Sequence, residues 1–142
     1  MNRKPNILAA FLVLALALAL TACGARGDKV ERFAEAAPGS GANIAIPGYE
    51  KLDFAAGKTA QAVNLKNPAE NACTFVFTLT LEGGETLWTG KAISPGEVFT
   101  RITLSRALDA GEYSATLHYD CYTIDDNQPL NGAEIELTLE VK

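Results

Sequence analysis

Histidine is almost missing from this chain. Of 142 residues only His118 carries an imidazole, which excludes every metal site or proton relay built on two histidines. Cations are also scarce, 12 lysines and arginines against 17 carboxylates. Two of those cations, Arg3 and Lys4, sit in the first four residues, and without them the net charge falls from −5 to −7. Nucleic acid is therefore excluded as a partner, because phosphates demand a basic surface. Electrostatic attachment to anionic lipid is excluded on the same ground. The longest apolar run, Ile7 to Leu20, has 14 residues, short of the roughly 20 that a spanning helix needs.

That run still carries information. Basic residues, then an apolar stretch, then small residues are the order of an export signal, here residues 1–22. Its ending, Leu20-Thr21-Ala22-Cys23, resembles the lipobox of bacterial lipoproteins. The resemblance implies cleavage before Cys23 and diacylglycerol on its thiol, often with acylation of the new amino group. Two or more chains hold a protein to a bilayer where one alone does not. An ordinary secretory signal with Cys23 as a stray thiol is the alternative. Gly24 follows the cysteine, and the aspartate that marks inner-membrane retention in diderms is not there.

Residues 23–43 are small, charged and turn-prone, and end in "AAPGSGAN". They are expected to form a flexible stalk. A short docking helix over "KVERFAEAA" is the sharper alternative, with Val30, Phe33 and Ala37 on one side.

From residue 44 onward, alternating runs recur between turn signals. They lie near 44–54, 59–66, 72–81, 86–93, 97–104, 112–124 and 133–142. Ala-Gly at 56–57, "NPAEN", Gly-Gly at 83–84, "SPGE", "LDAG" and Asn-Gly at 131–132 separate them. No helical stripe of useful length interrupts this, so residues 44–142 predict an all-β domain with seven strands in an immunoglobulin-like sandwich.

The third and sixth runs, placed side by side and antiparallel, suggest a register. With Cys73 opposite Cys121, Phe75 meets Tyr119 and Phe77 meets Leu117, and every large apolar residue falls on one face. A disulfide between Cys73 and Cys121 is expected from that register, two buried thiols being the alternative. "LDAGEYSA" has the form of a tyrosine corner at Tyr113 and resembles the immunoglobulin and fibronectin type III superfamily. Ala115 stands where antibody domains have their second cysteine, so their disulfide across the two sheets is absent. Nearly all of 44–142, through "LKNPAENACTFVFTLTLEGGETLWTGKAISPGE", "LSRALDAGEYSATLHY" and "LNGAEIELTLEVK", is similar to small exported domains and lipoproteins of Gram-positive anaerobes. That resemblance implies a fold and an address, with no activity attached.

Candidate sites are few. His118, Asp120 and Tyr122 alternate with the buried residues of the sixth run and share an outer face. The three are the candidate ligand-contact face. His118 and Asp120, with Glu134, Glu136 and Glu140 of the last run, could ligate a divalent ion or form an ordinary solvated face. Asp125, Asp126 and Asn127 gather oxygens, but the alternating spacing and distal glutamate of a calcium loop are missing. Trp88 faces Leu79 and joins the core if Gly83-Gly84 form a two-residue turn. A loop one residue longer turns it outward, where it could stack on a sugar ring or a partner's side chain. Ser105 and Ser114 lack the glycine frame of a nucleophile elbow. No catalytic residue, metal site or cofactor is expected. The expected partners are the membrane, through the lipid anchor, and an envelope protein or cell-wall glycan. The expected role is non-enzymatic binding or adhesion at the cell surface, with an accessory subunit of an envelope complex as the alternative.

Overall fold

The computed structural model describes residues 27–36 and 43–142. The expected signal peptide, residues 1–22, and the expected anchor, Cys23, lie outside the described residues, as do residues 37–42 of the expected stalk. Every regular element described is a strand. They are β1 (Lys29–Arg32), β2 (Lys51–Phe54), β3 (Ala60–Lys66), β4 (Cys73–Leu81), β5 (Thr86–Thr89), β6 (Glu97–Thr103), β7 (Gly111–Thr123) and β8 (Pro129–Val141). Three form a sheet in the order β1-β6-β3, and five form a sheet in the order β2-β8-β7-β4-β5. β2 runs parallel to β8, and the other neighbours are antiparallel.

One core joins the two sheets. Along β4 the odd positions Cys73, Phe75, Phe77 and Leu79 are buried, and along β7 so are Ala115, Leu117, Tyr119 and Cys121. This is the period of two that a half-buried strand imposes. Phe99 of β6 meets Phe77 at 6.1 Å and Trp88 at 4.9 Å between ring centres, both edge-on. Buried aromatic pairs of this kind add to the area term, so Phe99 is a main tie across the sandwich.

The seven expected strands return as β2 to β8, and β1 is the eighth. Residues 29–32 were expected to belong to a flexible stalk, or to a docking helix; instead they form an edge strand. Val30 sits opposite Phe99 and packs on the core, while Lys29, Glu31 and Arg32 are exposed. One inward valine in an alternating charged run suits an edge and gives a helix no apolar stripe.

The expected register of β4 against β7 is wrong by two residues. Cys73 lies opposite Thr123, and Cys121 lies opposite Phe75. A two-residue slip keeps every side chain on its face and changes its neighbour, so the inward set stands and the cysteine pairing does not. Cys73 and Cys121 are free buried thiols, and the expected disulfide is absent. Diagonal neighbours have Cα atoms about 7–8 Å apart, beyond the usual disulfide span. The slip also leaves Tyr113 past the end of β4, where its hydroxyl donates to the Asp109 carbonyl at 3.0 Å. That is the bond of a tyrosine corner.

Two turns differ from expectation. The β4–β5 hairpin has a three-residue loop, Glu82 to Gly84, with the Gly84 N–H donating to the Leu81 carbonyl at 2.8 Å and Leu81 N–H to Glu85 at 2.8 Å. Gly84 takes φ 88°, which such a loop requires at its last residue. A bulge then absorbs one residue, Thr80 opposing Thr86 and Leu79 opposing Trp88. Leu87 and Trp88 are consequently both buried, and Trp88 is in the core as expected. Asn131-Gly132 is not a turn but part of β8, and the β7–β8 turn lies at 124–128, closed by the Thr123 N–H donating to Gln128 at 2.9 Å.

Candidate functional site

The outer face of the five-stranded sheet carries the residues singled out from the sequence. A row crosses four strands, Thr89–Thr78–His118–Glu134, and the next row reads Thr86–Thr80–Thr116–Glu136. His118 Nδ1 lies 3.0 Å from Glu134 Oε1, with the glutamate side chain 71 % exposed. Asp120 opposes Val76, and Tyr122 opposes Thr74 and Pro129; the expected neighbours of His118 and Asp120, Val76 and Thr74, are each displaced by two. His118, Asp120 and Tyr122 do share one face. They succeed one another along β7 over about 13 Å, however, so they form a line and do not converge. A shallow depression of about 410 Å3 is lined by His118, Asp120, Gly132 and Glu134. Among the described residues no three His, Cys, Asp or Glu side chains gather as a metal would need.

The lower edge of this face holds a compact charge cluster. Glu140 receives Lys142 at 2.8 Å and Lys51 at 2.5 Å, and both lysines also approach Asp53. The parallel pairing places Asp53 beside Glu140, and the two lysines cancel that repulsion. Hydrogen bonds from Lys142, then Lys51, hold the Glu140 carboxyl at about 2, well below the usual carboxylate range. Asp126 serves its own turn, and Asp125 beside it is exposed. The Thr123 hydroxyl donates to the Asp126 carboxylate, and the Gln128 N–H donates to Thr123 Oγ1 at 2.7 Å. Asn127 takes the positive φ of 53° that the turn needs.

Sequence reasoning missed Asp28. Its Oδ2 accepts the Trp88 indole N–H at 2.6 Å, and its Oδ1 accepts the Thr103 N–H at 2.8 Å. The carboxylate thus clamps the start of β1 to β5 and to the end of β6. A lone, mostly buried tryptophan with an N–H to satisfy was the signal that a partner existed; nothing local in the sequence named it.

Residues 33–34 close the opposite end of the three-stranded sheet. The Phe33 N–H donates to the Gly96 carbonyl at 2.8 Å. Gly96 has φ 83°, and a Cβ there would come within 2.2 Å of the Ala34 oxygen; only glycine fits. Beneath lies a buried amide network that sequence reasoning took for turn punctuation. Asn67 Nδ2 donates to the Cys73 and Ile93 carbonyls at 2.8 and 3.1 Å, and Asn71 Nδ2 to Asn67 Oδ1 and the Ala45 carbonyl, both at 2.9 Å. Over this base sits an open, mainly apolar depression of about 350 Å3 lined by Phe33, Ile46, Pro47, Pro68 and Ala69, with Lys66 and Glu70 at its edge. The Phe33 ring is 48 % exposed, with the Lys66 ammonium 5.9 Å from its centre. The other exposed large apolar side chains, Ile124 and Leu130, belong to the β7–β8 hairpin at the same end.

No protein-family model, curated protein or solved structure matches the chain. Among the described residues, no helix is long and apolar enough to cross a membrane. The two ends of the sandwich differ in character. One carries the Asp28 clamp with the polar loops at 55–59, 82–85 and 104–110; the other carries Phe33, Ile124 and Leu130 above the asparagine network.

Proposed function

We propose that the chain is an exported lipoprotein, anchored through Cys23, whose domain is a non-enzymatic binding or adhesion module of the cell envelope. The lipobox resemblance of Leu20 to Cys23 supports the anchor. Antiparallel pairing of β4 with β7, parallel pairing of β2 with β8 and the Tyr113 corner support an immunoglobulin-like topology with an added strand β1. One observation carries the binding role: the exposed large apolar side chains among the described residues, Phe33, Ile124 and Leu130, all lie toward the end of the sandwich that carries Gly96 and the β7–β8 turn. Exposed apolar groups at the end of such a sandwich are a usual place for a partner. The line of His118, Asp120 and Tyr122 is polar and shallow, with His118 paired to Glu134, and it ranks second.

The accessory-subunit reading draws on β3, an edge strand of seven residues in the smaller sheet. An edge of this kind accepts a strand from another chain.

Cross-linking on intact cells with the full chain as bait separates these readings. A Phe33→Ala, Ile124→Ala double variant is compared with a His118→Ala, Asp120→Ala, Tyr122→Ala triple variant. Capture lost only in the double variant places the partner at the apolar end; loss only in the triple variant moves it to the sheet face. Capture by both directs attention to β3. With bait shown to be folded and nothing captured, protein binding is discarded in favour of cell-wall glycan.

A further inference from the structure

The position of Asp28 fixes how an anchored domain would stand. Asp28 is five residues from Cys23, and a fully extended chain covers at most about 18 Å over five residues. The described body begins at Gly27 and is tied down at Asp28 by Trp88 and Thr103. The length of chain between Cys23 and the folded domain is thus far shorter than the 21 residues expected of a stalk. β7, thirteen residues long, extends about 43 Å, more than twice that reach.

Hydrogen bonds establish which loops share the end marked by Asp28. Leu104 N–H donates to Thr59, Ser105 N–H to Leu87 and Gly57 N–H to Leu108, and Arg106 pairs with Glu85 at 2.7 Å. At the other end Gly96 is tied to Asn67, Cys73 opposes Thr123, and the β7–β8 turn projects beyond.

We infer that the end built by residues 55–59, 82–85 and 104–110 faces the phospholipid headgroups, and that the Phe33 and Ile124 end is presented outward. This rests on the reading of Cys23 as an acylated anchor. The headgroup layer is the committed occupant because of the tether's length and where it joins the body. Charge does not drive the contact, since exposed Glu82, Glu85, Asp109 and Glu112 outnumber Lys58 and Arg106 there. The acyl chains supply the attraction, and the Asp28 clamp supplies the direction.

A photo-reactive phenylalanine analogue tests this in the full chain, expressed in a host that processes lipoproteins. It is placed at Gly83, where a side chain meets open space, or at exposed Asp125 of the far turn. Phospholipid adducts are read by mass spectrometry, together with the mass of the peptide that begins at Cys23. The expected result is an acylated Cys23 and several-fold more lipid adduct from position 83 than from 125, unchanged by high salt. A long Gly/Ser insertion between Arg26 and Gly27 touches none of the clamp and should even out the two yields. Equal yields without the insertion, on an acylated chain, overturn the orientation and leave the anchor standing. An unacylated Cys23 overturns both.

Discussion

Cys73 and Cys121 share the inner face of neighbouring strands but stand two residues out of step, each opposite another residue's backbone. Both lie inside the core, each 1 % exposed. Burial, then the neighbouring Cys73, pushes the Cys121 thiol up to about 12, and burial raises Cys73 as well. Thiolate is the reactive form. Neither cysteine should therefore react with an aromatic disulfide reagent at pH 8 in the folded domain, and both should react at once in denaturant. Rapid modification of the native protein would contradict this packing.

Asp28 holds two donors that lose their partner if it is truncated. Asp28→Ala should destabilise the domain by about 1–3 kcal/mol, the usual range for a buried donor left unsatisfied. Trp88 reports it directly, so its emission should shift to the red along with a lower denaturation midpoint. Proteolysis between residues 29 and 36 should become faster. An unchanged Trp88 spectrum would mean that the clamp is not formed in solution.

The amide network under the outward end is a sharper test of the fold. Asn67→Leu is close in size but removes the donor to the Cys73 carbonyl and the acceptor of one Asn71 amide N–H, while the Ile93 carbonyl keeps the Phe75 N–H. A loss of about 2–3 kcal/mol is expected from urea unfolding, larger than for any surface asparagine such as Asn64. Equal effects at the two positions would count against the network.

Gly96 should be intolerant for a reason outside its own turn. Gly96→Ala places a methyl against the Ala34 carbonyl at a positive φ. Residues 33–34 should lift away, so amide exchange at Phe33 should speed up while β4 and β7 amides stay protected. Uniform loss of protection would instead point to global destabilisation.

Glu140 sets a pH dependence. Its carboxyl is lowered in the folded state, to about 2, so the unfolded chain takes up the proton first as pH falls. The stabilisation it gives is complete above the ordinary carboxylate range and is lost as pH drops toward 2. The group lies at the surface, its side chain 31 % exposed, so the effect on stability is small and salt-sensitive. A carbon-detected titration should find Glu140 near 2 in low salt and closer to an ordinary glutamate in high salt or in Lys142→Ala. An unshifted Glu140 at low salt would rule out the lysine contacts.

The alternation of β4, β7 and β8 was legible because the period of two is a local property. Cys73 to Leu81 and Ala115 to Cys121 can bury their odd positions in only one way, and that choice also put His118, Asp120 and Tyr122 on one outer face. Trp88 reached the core although the turn expected to put it there was one residue too short, because the bulge at Leu87 compensated. Register was not legible, since a slip of two leaves the same burial. In the observed register Tyr113 lies past the end of β4, where its hydroxyl donates to the Asp109 carbonyl.

The sequence by itself determined strand content, inward and outward faces and the resemblance to an export and anchoring signal, all of which depend on neighbours a few residues apart. Tertiary structure alone decided that Lys29–Arg32 is an edge strand, that Asp28 reaches Trp88 across 60 positions and that the two cysteines stand diagonally. Those outcomes depend on which distant backbone groups remain unpaired once the core has closed. A buried indole N–H and an open β6 edge recruit whatever segment arrives with a carboxylate and one valine, and no local pattern announces that recruitment.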